Sequence, residues 1–317
     1  MKAWPSVAVI ILNWNRKGDT LACLESLSRV DYSGIEMILV DNGSSDGSAG
    51  AVRAAFPAVA VLETGENLGF AEGNNVGLRY ALSGGADYVL LLNNDTEVAP
   101  DLVAVMVDAV EHAPRAGVAG PTIYYHDLPS TIWSAGGIID WRRGDSRLIG
   151  VGEVDEGQYA VVRDVDFVTG CALLAQRRVF EQVGLLDPRF FMYYEETEWC
   201  ARATRAGYRI LHIPQAHVWH KISPMQQAES PRVHYYMTRN RLLFLRNSHA
   251  GIQAWVYTLL VDYLRTLVSW SVRPKWRAKR GRNVRGQGAL RQAMLQAILD
   301  AVVGRWGKSA APWLVGG

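Results

Sequence analysis

Four short apolar runs punctuate the first hundred residues, and each gives way to a polar cluster. Val7–Leu12 stops at Asn13, Trp14 and Asn15. Glu36–Val40 stops at Asp41 and Asn42, residues 59–62 are followed by Asn67, and Tyr88–Leu92 stops at Asn93, Asn94 and Asp95. Stretches with helical spacing separate them, over 20–28, up to about residue 55, and over 74–82. Runs this short that do not alternate polar and apolar residues are buried on both faces, and parallel strands need helical crossovers between them. The pattern predicts an α/β fold, a Rossmann-like, mixed and mainly parallel sheet flanked by helices. Ligands of such sheets collect at the carboxyl ends of the strands, where all four polar clusters stand. No GxGxxG follows the first run, which argues against an NAD or FAD enzyme.

The clusters differ in what they can do. Asp41 can accept hydrogen bonds from a nucleobase, and Trp14 offers a stacking face. Asn93, Asn94 and Asp95 put an oxygen cluster at a rigid strand end, which suits a hard divalent cation bridging a diphosphate. Asp164-Val165-Asp166 is the literal D-x-D of the chain, but it precedes an apolar strand and reads as structural or acceptor-facing. Glu195, Glu196 and Glu198 open a helix behind Phe190, Phe191, Tyr193 and Tyr194. The helix dipole favours acids there, and the aromatic neighbours raise a carboxyl pKa toward the range of a general base. His217 and His220 follow a strand over 209–213, which lets one imidazole return to Asp95. An oxygen and nitrogen ligand set of that kind suits Mn²⁺ or Mg²⁺.

Composition limits the remainder. With 317 residues, 49% of them hydrophobic and 20% charged, the chain is a folded globular protein. Three cysteines, Cys23, Cys171 and Cys200, form no CxxC pair and fit a reducing, cytosolic setting. The apolar stretch at the N-terminus is too brief for the core of an export signal. Net charge is +2, yet seven Lys and Arg crowd Arg273–Arg285 without an acid, leaving the other residues at −5. Just before them lies Ile252–Val272, the most apolar long stretch of the chain, where Thr258, Asp262, Arg265, Ser269 and Arg273 fall on one helical stripe. Asp262 and Arg265 argue against a membrane span. A wide apolar face with Trp and Tyr beside a basic run predicts a helix lying at an anionic membrane surface through 252–285. The basic run lacks the fold signature of a nucleic-acid binder. A last amphipathic helix is expected over 289–303. The Gly- and Asp-rich region 126–165 reads as loops or a small hairpin over the site.

Seven ordered blocks carry a resemblance from about Val7 to Arg246: VAVIILNWN, VDNGSSDGS, ENLGFAEGNNVGL, LLLNNDT, VDFVTGCALL…FFMYYEETEWCARATRAGYRI, AHVWHKIS and YYMTRNRLLFLRN. The chain resembles family 2 glycosyltransferases of the GT-A fold, in the rhamnosyltransferase-like branch of bacterial surface-polysaccharide synthesis. The resemblance implies a catalytic domain over 1–246 and a basic, helical, membrane-interfacial extension over 247–317. It implies that Asn13, Trp14, Asp41 and Asn67 line the donor pocket, that Asn74 contacts donor phosphate or ribose, and that Asn93 and Asn94 assist. Asp95 and His220 are implied as metal ligands, and Glu196, with Glu195 beside it, stands where the family keeps its base. The implied activity is inverting, metal-dependent transfer from a dTDP-, UDP- or GDP-linked sugar to a glycan or lipid-linked acceptor, at the inner face of the plasma membrane. The family's DxD is Asn-Asn-Asp here, and its Glu-Asp pair is Glu-Glu. A catalytically impaired nucleotide-sugar-binding subunit is the rival reading. A nucleotidyltransferase fits poorly, because Asn13–Lys17 contains no glycine.

Overall fold

A computed structural model describes residues 4–222, 230–272 and 287–311. They form two compact units. The first takes the chain up to Ile138, then Arg147–Pro188 and Glu195–Ile222; the second takes Ile139–Ser146, Arg189–Tyr194 and the described residues beyond 222.

The first unit is a mixed sheet covered by helices. Its opening alternates β1 (Val7–Asn13), α1 (Lys17–Leu27), β2 (Ile35–Asp41), α2 (Ser48–Ala55), β3 (Ala60–Glu63), α3 (Gly69–Ser83) and β4 (Tyr88–Asn93). β5 (Thr96–Val98), α4 (Leu102–His112), β6 (Ala116–Tyr125) and β7 (Leu128–Ser134) follow, then a hairpin of β8 (Gly137–Asp140) and β9 (Asp145–Leu148), of which Ile139–Ser146 counts with the second unit. β10 (Arg163–Asp164), β11 (Ala172–Gln176), α5 (Arg177–Val183), α6 (Glu195–Arg205) and β12 (Arg209–His220) complete it. The strands run in the order β10-β12-β6-β11-β4-β1-β2-β3, with β5 on β12 and β7 on β6.

β3, β2, β1 and β4 pair in parallel, as the alternating pattern predicts. The sheet is less parallel than expected beyond them. β11 runs antiparallel between β4 and β6, and β5, β7 and β10 are antiparallel to their partners. For β7 the reason is connection length: it follows its partner β6 by a short link, which cannot carry a parallel crossover. Region 126–165 accordingly holds β7 to β10 rather than loops with one hairpin.

Helices cover both sheet faces, so β1 and β4 are buried along their length. Leu24 and Leu27 of α1 and Val103 and Met106 of α4 pack on one side with Val9, Ile11 and Leu90. α3 approaches the other side through Gly73 and Gly77. A Cβ at Gly77 would sit 2.6 Å from Ile10, and one at Gly73 2.6 Å from Leu12. Glycine at both positions lets the helix backbone ride against the sheet.

In the second unit, α7 (Pro231–Asn247) packs against α10 (Gln287–Val302). Between them in sequence run α8 (Ile252–Val256), a π-helical stretch (Tyr257–Leu264) and α9 (Arg265–Val272). No helix among the described residues is long and apolar enough to cross a membrane. Of the polar stripe expected along 252–272, Thr258 and Asp262 are bonded to the protein while Arg265 is exposed. Thr258 is fully buried and donates to the Arg143 carbonyl, and Asp262 pairs with the buried Arg241 at 2.5 Å. Val256, Leu260, Leu264 and Val268 are 46–56% exposed. The basic run 273–285 lies outside the described residues.

Candidate active site

β1 ends on Asn13, whose side chain has no solvent exposure and is the hub of a polar network. Its amide donates to Asp41 Oδ1 and Ser44 Oγ, both at 3.0 Å. Its carbonyl oxygen accepts from Arg16 N–H, Thr20 Oγ1 and Asn94 Nδ2 at 2.9–3.2 Å. Parallel register sets this up, since Asn13 lies beside Asp41 across β1 and β2, and Leu12 beside Asn93 across β1 and β4. Asn13, Asp41 and Asn94 thus come together, with Trp14 half-buried beside them. Asn42 ties the next turn by accepting from Leu68 N–H and donating to Asn67 and to the Gly69 carbonyl. Gly43 sits at φ 74°, where a Cβ would fall 2.6 Å from the Glu66 backbone, so that turn requires glycine. Asn67 accepts from Gly69 N–H at the start of α3. Asn74 is buried and donates to the Phe70 carbonyl of its own helix.

Asp95 follows β4, and β12 brings His220 to it. His220 Nε2 lies 3.0 Å from Asp95 Oδ1, and Lys221 N–H donates to the Asp95 carbonyl. β12 is longer than the sequence pattern predicts, Arg209–His220, so both histidines lie on the strand itself. The alternation along it buries His220 and turns His217 outward against Tyr124 and Trp219. Trp133 meets the His220 ring edge-on, 4.7 Å between centroids. Burial raises the Asp95 carboxyl pKa, but the hydrogen bond and charge of His220, with Arg16, outweigh it and hold the group below its ordinary value. The side chain remains 20% exposed.

The third group is carboxylic. Glu195 and Glu196 open α6, and burial pushes both carboxyls up, Glu195 well above the usual range because the charge of Glu196 adds to it. Glu195 is 4% exposed, whereas Glu196 is partly open. The nearby backbone N–H groups of Glu196, Thr197 and Gly170 pull the Glu196 carboxyl the other way without offsetting burial, and its Oε2 has no hydrogen-bond partner. Glu198 is committed elsewhere. It pairs with Arg202 at 2.9 Å, and Arg202 in turn holds the Leu185 carbonyl. Asp164 is likewise taken up, by a two-pronged bond from Arg209 at 2.8 and 2.9 Å.

One segment joins the two halves of the site. The Cys171 carbonyl accepts from Asn93 N–H at 2.9 Å, and its neighbour Gly170 lies against Glu196, where a Cβ would fall 3.9 Å from Glu196 Cβ. Sequence reasoning missed this segment, as it missed Thr20, Ser44 and Trp133. Gly170 carried a signal all the same: a Cβ there would meet the Phe70 ring at 2.8 Å. The thiols of Cys23 and Cys200 are pushed up to about 12 and that of Cys171 well above its ordinary value, chiefly by burial, so none serves as a nucleophile.

The family model described as Glycosyl transferase family 2 matches residues 8–184. N-acetylglucosaminyl-diphospho-decaprenol L-rhamnosyltransferase of Mycobacterium tuberculosis (strain CDC 1551 / Oshkosh) is 29% identical over 255 residues, covering 72% of this chain and 80% of that one. The dTDP-rhamnosyl transferase RfbF of Shigella flexneri is 27% identical over 210 residues, covering 64% and 68%. Among solved structures, the mannosyltransferase PcManGT from Pyrobaculum calidifontis, in complex with GDP-Man and Mn²⁺, superposes with a TM-score of 0.59 at 14% identity. That match covers 96% of this chain and 90% of that one.

Proposed function

The chain belongs to glycosyl transferase family 2, and we propose that this glycosyltransferase moves rhamnose from a dTDP-sugar to a hydroxyl of a lipid-linked glycan, with inversion. The single observation that carries the reading is the segment Gly170–Cys171, which bonds the strand end beside Asp95 and His220 and packs against Glu196. The names of two relatives supply the choice of rhamnose, dTDP and a lipid diphosphate acceptor.

Asn13, Trp14 and Asp41 bind the nucleotide, Asn67, Asn74 and Asn93 complete the donor side, and Asn94 fixes Asn13. Asp95 and His220 fit a divalent cation, Mn²⁺ or Mg²⁺, in donor type and in their 3.0 Å separation. No group of three or more His, Cys, Asp or Glu among the described residues could hold a metal, so diphosphate oxygens and water would complete its shell. When bound, the cation offsets the charge that gathers on the departing diphosphate. Glu196 takes the proton of the acceptor hydroxyl as its oxygen bonds to the anomeric carbon. The bond from that carbon to the diphosphate breaks on the opposite face, and its electron pair leaves with the nucleotide. A carboxyl raised by burial, with Oε2 unpartnered, suits that step.

The acceptor's lipid places the work at the cytoplasmic face of the plasma membrane. The helical segment 252–272 supports contact there, because Thr258 and Asp262 are bonded to the protein while Val256, Leu260, Leu264 and Val268 face outward. Incubation with Mn²⁺ and dTDP-rhamnose, UDP-sugars or GDP-sugars, plus a prenyl-diphosphate-linked N-acetylglucosamine, tests the reading. Transfer from dTDP-rhamnose alone, lost in Asp95→Ala, is the expected result; transfer from a UDP- or GDP-sugar instead overturns the donor assignment.

A further inference from the structure

The loop that delivers Glu195 and Glu196 is built from backbone conformations that its residues do not choose freely. Phe191, Tyr193 and Tyr194 have φ of 65°, 69° and 73°, in the left-handed region that aromatic side chains avoid. Such a run persists only where surrounding contacts over-determine it. Within the second unit, one side chain supplies most of them. Asn240, fully buried in α7, donates its amide to the carbonyls of Phe190, Met192 and Tyr193 at 2.8, 2.7 and 2.9 Å. Two hydrogens serve three carbonyls, so the amide is gripped by the loop as much as it grips it.

The orientation of that amide is fixed in turn. Arg239, 1% exposed, donates Nε and Nη2 to Asn240 Oδ1, both at 3.0 Å, and Nη2 also reaches the Phe190 carbonyl at 3.1 Å. Its guanidinium lies over the rings of Tyr235 and Tyr236 at 5.3 and 4.9 Å. An acceptor-only side chain at 240 would face three carbonyl oxygens with nothing to donate. Phe191 stacks on Tyr236 and Tyr194 lies against Phe244, which anchors the loop's rings to the same helix. Glu195 follows Tyr194 directly in the chain and starts α6.

We propose that Asn240, with its amide set by Arg239, is a positioning residue for Glu196. By capturing three carbonyls it holds residues 190–194 in their left-handed course, and Tyr194 is bonded directly to Glu195, the first residue of α6. The proposal rests on Glu196 being the base. It also accounts for the adjacent pair Arg239-Asn240, which the donor and metal groups leave unused.

The test compares Asn240→Ala, Asn240→Asp and Asn240→Ser with Glu196→Gln, measuring kcat, donor KM and the pH dependence of kcat. Asn240→Ala and Asn240→Asp should lower kcat at least thirtyfold with donor KM within threefold. The acid limb of kcat should move to lower pH, because a displaced carboxyl loses the burial that raises it. Asn240→Ser, which keeps one donor, should fall between them and the wild type; it serves as the comparison if the other two do not fold. A kcat within threefold of wild type in Asn240→Ser and Asn240→Ala, while Glu196→Gln is silent, overturns the positioning role alone. So does an equal change in kcat and KM with an unmoved acid limb. Wild-type turnover by Glu196→Gln overturns the base assignment, and the proposal with it.

Discussion

Asp95 and Glu196 show how burial acts on single carboxyls with opposite results. Both are taken from water, but Asp95 gains an imidazole partner and is held low, whereas Glu196 gains only backbone N–H groups and rises. His212 gives the cleanest test of the same physics away from the site. It is fully buried on β12, bonded through Nε2 to Thr122 at 2.9 Å, with Nδ1 unpartnered. Burial, with the Arg163 charge, lowers its pKa from 6.5 to about 4, against a smaller opposing pull from Asp155. The folded state therefore binds this proton more weakly than the unfolded chain. The stability it contributes is whole above about pH 6.5 and is lost as pH falls toward 4. Between pH 7.5 and 4.5, urea unfolding should show the wild type losing about 2 kcal/mol more than His212→Gln. Equal losses would mean that His212 is not held neutral by the fold.

At the scale of elements, the sequence made the parallel block legible because its signals are local: apolar runs, helical spacing and a glycine-bearing turn. The strand ends followed, and with them Asn13, Asp41, Asn94 and Asp95. What stayed hidden depends on partners far along the chain. Periodicity could not foretell that β11 turns antiparallel between β4 and β6, or that β12 runs on to His220, since both follow from strand pairing. Region 252–272 illustrates the same limit. Its stripe of Thr258 and Asp262 reads as a solvent face until Arg143 and Arg241 are seen to claim it. The proposed membrane contact would be made through the exposed Val256, Leu260, Leu264 and Val268. Vesicles containing anionic phospholipid should carry the wild type to the top of a flotation gradient. Leu260→Glu with Leu264→Glu, both at exposed positions, should cut the bound fraction at least tenfold. Undiminished flotation of the double variant would remove this helical face from membrane contact.

For the whole molecule, the groups of the candidate site come from distant parts of the sequence but from one compact unit. Asn13, Asp41, Asp95, Gly170, Glu196 and His220 all belong to the first, which the chain leaves and re-enters before closing the site with β12. The family membership fixes the class of chemistry; the residues decide how this chain performs it. Its Asn93-Asn94-Asp95 leaves a single carboxylate at the strand end, and its Glu195-Glu196 divides into a buried member and a partly open one. The account stands or falls on the second of these. The most direct measurement is the rate of sugar transfer by Glu196→Gln, taken alongside its affinity for the nucleotide-sugar. Transfer should fall about a thousandfold, while donor affinity stays within threefold of wild type. Transfer at the wild-type rate would contradict the account.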